Sequence, residues 1–129
     1  MKQEEKELLL KDLSARLPYN VAIDCKDEDS RFTCYLTTDI LKEIQNNTYH
    51  WEYKPYLFPL SSMTEEQIFL SHFGYETMDV IRRNKDWTMI EIHHDDYYEL
   101  TDWLNAHHFD YRGLIPMGLA NDATGLNIY

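Results

Sequence analysis

Histidines and carboxylates that can bind a metal ion occur in two runs in the last third of the chain. The run HHDD occupies residues 93–96, and His107 and His108 follow after about one helix length. Imidazole nitrogens and carboxylate oxygens are the ligands of many hydrolytic metal centres. One hypothesis is therefore a small metal-dependent hydrolase that uses His94, His107 or His108 with an acidic neighbour.

The local pattern of the first run favours a structural role for these side chains. Residues 87–94 predict a strand, and successive strand side chains point to opposite faces, so His93 and His94 cannot both face one metal. Asp95 or Asp96 is well placed to cap the helix that follows. No HExxH motif is present. The competing interpretation is helix capping combined with partly buried histidines.

The last long helix carries an apolar stripe that ends in the second pair of histidines. Its positions follow the i, i+3, i+4, i+7, i+8 spacing and are Leu100, Trp103, Leu104, His107 and His108. A histidine near a helix C-terminus also interacts favourably with the helix dipole. The pattern therefore favours packing over metal binding for this pair.

A tight turn after this helix is the first choice for a partner-binding site. The sequence Asp110-Tyr111-Arg112-Gly113 combines an acid, a phenol and a guanidinium. Asp110 and Arg112 could pair with each other, or Arg112 could bind a carboxylate or phosphate of a partner. The predicted partner-binding residues are Trp103, Asp110, Tyr111 and Arg112.

The other reactive side chains indicate no catalytic or cofactor chemistry. Ser61 and Ser62 lack the flanking glycines of a nucleophile elbow. Cys25 and Cys34 lie on neighbouring predicted strands and could face each other, but two thiols do not make a disulfide framework. The chain has four glycines and no phosphate-binding or dinucleotide-binding motif. No cofactor is expected.

The composition predicts an acidic protein, whose charge is typical of a solubilising surface and could also attract a basic partner. The 129 residues include 23 acidic and 12 basic side chains, which give a formal net charge of −11. This charge repels phosphate backbones, which argues against nucleic-acid binding, and it attracts a basic partner. Ten tyrosines supply surface typical of cores and interfaces. Without a signal peptide or an apolar run of about 18 residues, we expect a cytoplasmic protein with no membrane contact.

Local patterns predict the elements of the first half. Leucines at helical spacing predict a helix over residues 3–16. Alternating apolar residues predict a hairpin of strands over 21–25 and 32–36. Residues 39–46 fit a helix or a strand equally well, and alternating aromatic residues favour a strand over 49–54.

Two further signals follow in the middle of the chain. Pro55 and Pro59 bracket an extended segment that, by the rule that proline avoids central strands, cannot form an inner strand. Thr64 and Gln67 form a capping box at the start of a helix predicted over 65–73.

Together these elements predict an α+β fold. We expect one domain over residues 1–129, with an antiparallel sheet of three to five strands and two or three helices packed on one face. The polar tail at 121–129 is expected to be loose. An exposed sheet edge could pair with a second copy, so a homodimer is plausible.

Three sequence blocks, taken together, resemble one protein family. They are EEKELLLKDLSARLP, KPYLFPLSSMTEEQ and DWLNAHHFDYRGLIPMGLA. They are similar to blocks in short proteins of unassigned activity from gut Bacteroides and from the prophages and mobile elements of those bacteria. The chain departs from the family at Phe58, where an arginine is usual, and at Pro116-Met117, where Glu-Lys is more frequent. The resemblance implies an accessory protein of a bacterial or phage genome and transfers no catalytic residue.

Two functional classes remain open from the sequence. The first is a non-enzymatic accessory protein that binds another protein through an acidic, tyrosine-rich surface, and it is preferred chiefly because the metal-ligand geometry of the second is poor. The second is the metal-dependent hydrolase, which requires the histidines to converge on one pocket.

Overall fold

The computed structural model describes residues 1–46, 51–83 and 94–129, and it describes only the backbone of residues 94–97. Within these ranges the helices are α1 Gln3–Arg16, α2 Thr38–Asn46, α3 Glu65–Ser71, α4 Tyr75–Arg83 and α5 His94–Ala106. The strands are β1 Ala22–Lys26, β2 Arg31–Tyr35, β3 Glu52–Pro59, β4 Phe109–Asp110 and β5 Asn121–Asp122. Two short 3-10 helices lie at Leu17–Tyr19 and Leu60–Ser62.

The strands form one mixed sheet. Its order is β2-β1-β3-β4, and β5 also pairs with β3. The pairs β1–β2 and β1–β3 are antiparallel, whereas β4 and β5 run parallel to β3. The predicted α+β class is confirmed, but the sheet is mixed rather than antiparallel. Its last two strands return to β3 after long connections, which allow a parallel direction.

The strand β3 lies inside the sheet although it contains two prolines. The prediction that Pro55 and Pro59 exclude an inner strand is therefore wrong. β4 pairs through the N–H of Phe58, whereas the β5 side pairs through the C=O of Leu57. Backbone groups alternate in direction along a strand, so the prolines point the same way as Leu57. On that side β5 is only two residues long, so the missing N–H groups interrupt no pairing.

The described helices pack in two groups around this sheet. Helices α1 and α2 cover one face of β1 and β3 with a core that includes Leu9, Leu13, Ile23, Cys25, Ile44 and Leu57. Helices α3, α4 and α5 form a second core beside β4, which includes Met63, Ile68, Met78, Ile81, Leu100, Leu104 and Phe109. The arrangement has a helical layer on one face, as predicted, and a second helical core that was not predicted.

The local predictions vary in outcome. The helix over 3–16 and the hairpin are confirmed, and residues 38–46 form a helix. At the start of α3, Gln67 donates its backbone N–H to the Thr64 hydroxyl at 3.1 Å, and Thr64 donates its N–H to the Gln67 side chain at 2.8 Å. The helix ends earlier than predicted because His72 adopts a left-handed conformation. The predicted strand over 87–94 lies outside the described residues except for His94, which begins α5.

The segment 121–129 packs against the sheet, in contrast to the predicted loose tail. It contributes β5, and Ala123 is buried beside Tyr56 and Ala22. The hydroxyl of Tyr129 accepts the N–H of Ala22 at 2.9 Å and donates to the carbonyl of Tyr56 at 2.7 Å. Tyr129 therefore bridges β1 and β3 with its side chain. Ala123 and the Tyr129 hydroxyl thus tie this segment to the sheet, whereas Leu126 remains 52% exposed.

Candidate functional site

The predicted partner-binding turn joins a buried network that we call the ion cluster, formed by Asp12, Arg16, Tyr111 and Arg112. The side chains of Asp12 and Arg16 are completely buried, and Arg16 Nε donates to Asp12 Oδ2 at 2.8 Å. Arg112 Nη1 donates to Asp12 Oδ1 at 2.9 Å from the other end of the chain. One carboxylate therefore compensates two guanidinium groups.

The phenol of Tyr111 lies at the centre of this network. Its hydroxyl accepts from Arg112 Nη1 at 2.7 Å and donates to Asn105 Oδ1 at 3.1 Å. The guanidinium carbons of Arg16 and Arg112 lie 5.4 and 4.6 Å from the ring centroid. These distances allow cation–π attraction. Burial raises the pKa of Tyr111, so the phenol stays protonated and remains a hydrogen-bond donor.

Asp110 does not pair with Arg112 but organises the turn that follows it. Its carboxylate accepts the backbone N–H groups of Leu114 and Ile115, both at 2.9 Å. The side chain is buried, and this desolvation raises its pKa although the two N–H groups act in the opposite direction. Asp110 therefore fixes the path of the chain between β4 and β5.

These contacts place the predicted partner-binding residues largely inside the protein. Asp110 and Tyr111 are buried, and the side chain of Arg112 is 18% exposed. Trp103 is half-buried and stacks on Phe109 with ring centroids 5.8 Å apart. The structure brings Tyr111 and Arg112 together with α1, and their described contacts connect distant segments of the fold. Their partner-binding role stays a prediction.

The two histidines after α5 serve separate contacts. His107 is exposed, stacks on Trp103 with centroids 4.3 Å apart, and its Nδ1 lies 2.9 Å from the Trp103 carbonyl. His108 has a positive φ of 64° and stacks on the Tyr129 ring at 3.6 Å. Burial lowers the pKa of His108 to about 4, with a smaller effect of the positive charge of Arg16. Because His108 adopts a left-handed backbone conformation, its ring and the ring of His107 contact different parts of the fold.

The described residues contain no group of three or more histidine, cysteine or acidic side chains positioned to hold a metal ion. His93 lies outside the described residues, as do the side chains of His94, Asp95 and Asp96. Within the described residues, His107 and His108 do not join a group of side chains that could hold a metal ion, so the hydrolase hypothesis gains no support there. In the ranges that the structure covers, no helix has the length and apolar composition needed to span a membrane.

The most exposed large apolar side chain among the described residues, Phe69, belongs to α3, which sequence reasoning did not select as a binding region. Phe69 is 82% exposed and Leu70 is 58% exposed. Glu65 and Glu66 lie one turn earlier on the same exposed side, because residues four apart share a helix face. Tyr75 at the start of α4 is 51% exposed, and its hydroxyl lies 3.2 Å from Glu65 Oε1. We call these five residues the α3 surface.

A cleft adjoins the α3 surface through Arg82. It encloses about 390 Å³ and is lined by Pro59, Leu60, Ser61, Arg82, Arg83, Asp110, Tyr111, Gly113, Ile115 and Pro116. Arg82 donates to Glu65 Oε1 at 2.9 Å, and both Arg82 and Arg83 pair with Asp79. The cleft therefore combines an apolar lining with arginines that already have acidic neighbours.

The missed features had only weak sequence signals. Asp12 and Arg16 stand four residues apart on α1, a spacing typical of an exposed helix pair, whereas here both are buried. Phe69 and Leu70 follow the capping box directly and fit the interior of a short helix as well as its surface. In comparisons with known proteins, no family model, curated protein or solved structure matches the chain.

Proposed function

We propose that this chain is a non-enzymatic binding protein that docks a basic protein partner through the α3 surface. The observation that carries the proposal is the exposure of two adjacent large apolar side chains, Phe69 at 82% and Leu70 at 58%. Neighbouring exposed apolar residues with a polar rim are characteristic of protein-interaction sites. The resemblance in the sequence implies an accessory role in a bacterial or phage genome.

The helix that carries these side chains is held in place before a partner arrives. The capping box of Thr64 and Gln67 fixes its first turn. Ile68 and Ser71 are buried on its opposite side and anchor it to the second core. A surface whose backbone is already ordered loses less conformational entropy on binding than a flexible segment does.

The charge around the α3 surface indicates a basic partner. Glu65, Glu66 and Glu76 are exposed in this part of the fold. The whole chain carries a formal net charge of −11, so a basic partner is attracted over a distance of several ångströms. The fitting partner therefore has an apolar centre for Phe69 and Leu70, with lysine or arginine around it.

The expected contribution of the apolar pair is large enough to measure. Complete burial of a phenylalanine or leucine side chain stabilises an association by about 1.5–3 kcal/mol each. At about 1.4 kcal/mol for each tenfold change, loss of both side chains weakens binding on the order of 100-fold or more. The adjoining cleft of about 390 Å³ is large enough to receive a side chain of the partner.

The test is quantitative affinity capture with matched variants. The wild-type chain, the double variant Phe69→Ser/Leu70→Ser and the control Leu126→Ser are used as baits in a lysate of the organism that encodes the chain. Leu126 is 52% exposed but lies in the C-terminal segment, so it controls for loss of an exposed apolar side chain. We expect a basic protein captured by the wild type and the control but not by the double variant.

Binding of the purified pair then tests the charge argument. We expect its affinity to fall as salt is raised, because screening weakens attraction between exposed charges. Capture that does not depend on Phe69 and Leu70, or affinity independent of salt, would contradict the proposal. Concentration-dependent self-association of the wild type that disappears in the double variant would identify a second copy as the occupant and overturn the basic partner.

A further inference from the structure

The two cysteines form a close pair across the β1–β2 hairpin. In the register of the sheet, Cys25 pairs with Phe32 and Cys34 pairs with Ile23, so the cysteines are diagonal neighbours. Both belong to the face that packs against the first core. Their Sγ atoms lie 2.6 Å apart, a little beyond the about 2.05 Å of a disulfide bond. The two sulfur atoms therefore need to approach by only about 0.5 Å to reach bonding distance.

The two thiols differ in their access to solvent. Cys25 is completely buried beneath the helices, whereas Cys34 is half-buried near the end of β2. Burial, followed by the contact with Cys34, raises the pKa of Cys25 to about 12, so this thiol keeps its proton at neutral pH. A reagent from solution therefore reaches Cys34 first.

We propose that Cys25 and Cys34 are a reversible oxidation site that forms an intramolecular disulfide by exchange with low-molecular-weight disulfides. The sequence places the two cysteines on neighbouring predicted strands, but their spacing does not reveal how close the sulfur atoms are. The site is independent of the α3 surface, because the cysteines pack in the first core whereas α3 packs on the second core.

The exchange proceeds in two balanced steps. The Cys34 thiolate attacks one sulfur of a disulfide RSSR, the S–S bond of RSSR breaks, and the released RS⁻ takes a proton to become RSH. The Cys25 thiol then loses its proton, its thiolate attacks Cys34 Sγ, the bond between Cys34 Sγ and SR breaks, and the released second RS⁻ takes up a proton to become RSH. Overall, two protein thiols are oxidised, RSSR is reduced, and two molecules of RSH form.

The location of the pair explains why the second step is favoured over a stable mixed disulfide. Once Cys34 carries a group R, the Cys25 sulfur is already beside it and need not diffuse to it. Such proximity accelerates an intramolecular step strongly over its bimolecular equivalent. The buried thiol thus acts as the resolving group for the accessible one.

The test uses oxidised and reduced glutathione as the redox buffer and the folded full chain as the protein. After acid quenching, intact mass spectrometry of the wild type is expected to show a loss of two hydrogen atoms and no glutathione adduct. Because the chain contains two cysteines, this loss without dimer formation can only be the Cys25–Cys34 link. Addition of excess reduced glutathione is expected to restore both thiols.

Two variants separate the steps. Cys25→Ala is expected to accumulate the mixed disulfide of glutathione on Cys34, because the resolving thiol is missing. Cys34→Ala is expected to react at least about tenfold more slowly, since its remaining thiol is exposed only by local opening of the fold. Circular dichroism confirms that each variant is folded, and the wild-type mass remains decisive if one is not.

The opposite results are equally clear. The proposal is overturned if the wild-type protein retains a glutathione adduct or links to a second chain. It is also overturned if the wild type keeps two free thiols under conditions in which Cys25→Ala is fully modified. Equal modification rates of the two variants would overturn the assignment of Cys34 as the residue attacked first.

Discussion

The ion cluster and the α3 surface differ in charge, in burial and in how far apart their residues lie in the sequence. The ion cluster is charged and buried, and its members come from opposite ends of the chain. The α3 surface is exposed, combines apolar side chains with two glutamates, and comes from one short stretch of sequence. The charged groups of the ion cluster are thus engaged in internal contacts, whereas the α3 surface presents apolar side chains and glutamates to a partner. The environment of a side chain, more than its type, indicates where to look for function.

This difference predicts that mutations in the two regions change different properties, namely stability for the ion cluster and binding for the α3 surface. A change in the ion cluster leaves a charge uncompensated in the interior, so it should affect folding. A change in the α3 surface alters groups that water already contacts, so it should affect binding alone.

The largest effect is expected from loss of the shared carboxylate. Asp12→Ala leaves Arg16 buried without its acidic partner and removes the carboxylate that pairs with Arg112. Breaking a buried ion pair in this way costs about 3–5 kcal/mol. Urea denaturation should therefore show a free energy of unfolding that is lower by about this amount.

Two further variants check this interpretation. Asp12→Asn, which retains one acceptor oxygen, should lose less stability than Asp12→Ala. The exposed acid Asp102 provides the control, since Asp102→Asn should change stability by less than about 0.5 kcal/mol. Equal effects of Asp12→Ala and Asp102→Asn would show that the ion cluster contributes nothing to the fold.

The next effect concerns the tyrosine that bridges the sheet. Tyr129→Phe keeps the ring but leaves the Ala22 N–H and the Tyr56 carbonyl without their described partner. An unsatisfied buried polar group costs about 1–3 kcal/mol, so the free energy of unfolding should fall by an amount in this range. Tyr35→Phe removes the hydroxyl of a tyrosine that is 59% exposed and should be close to neutral in the same denaturation experiment.

The ion cluster and the α3 surface also show which features local sequence patterns predict and which they do not. The helix α1, the β1–β2 hairpin and the start of α3 depend on signals within a few residues, and they were predicted. The ion cluster joins Asp12 to Arg112, which are 100 positions apart, and no local pattern contains that contact. The same limit explains the inner position of β3, since which side of a proline-containing strand is paired depends on where the other strands arrive.

The candidate site was harder to predict than the fold. The sequence predicts Asp110, Tyr111 and Arg112 as site residues because their groups can bind ligands, but residue type does not reveal whether a side chain is buried. It passed over Phe69 and Leu70 because an apolar residue in a helix is normally packed. Their exposure follows from the position of α3 at the outside of the second core, which depends on tertiary packing.

A pH dependence is also expected, and it tests whether His108 is a packed, neutral histidine. Burial lowers the pKa of His108 to about 4 from its ordinary 6.5. Between these values the unfolded chain binds a proton that the folded chain does not, so this stability is full above pH 6.5 and is lost as the pH falls towards 4.

The comparison is with His108→Asn, because asparagine tolerates the left-handed conformation of this position. The difference in unfolding free energy between wild type and variant should change with pH below 6.5, by at most about 1.4 kcal/mol per pH unit. A difference that is constant from neutral pH down to pH 4 would contradict the buried neutral histidine.

The smallest effect is expected from the α3 surface when stability is the measurement. The double variant Phe69→Ser/Leu70→Ser, used above for binding, should change the free energy of unfolding by no more than about 0.5 kcal/mol per residue. A loss of several kcal/mol would mean that the side chains are packed in solution, and the contrast between the two regions would then disappear.

The bridge made by Tyr129 also has a consequence for the order in which the chain folds. Its two hydrogen-bond partners lie 107 and 73 positions away in the sequence. Contacts of such high sequence separation slow folding, because loop-closure entropy must be overcome before they form. The hairpin and α1 can assemble while a nascent chain is still being made, but the junction between β1 and β3 gains its last hydrogen bonds only after residue 129 has left the ribosome. Newly made chains therefore pass through a stage in which the Ala22 N–H and the Tyr56 carbonyl lack their hydrogen bonds to Tyr129.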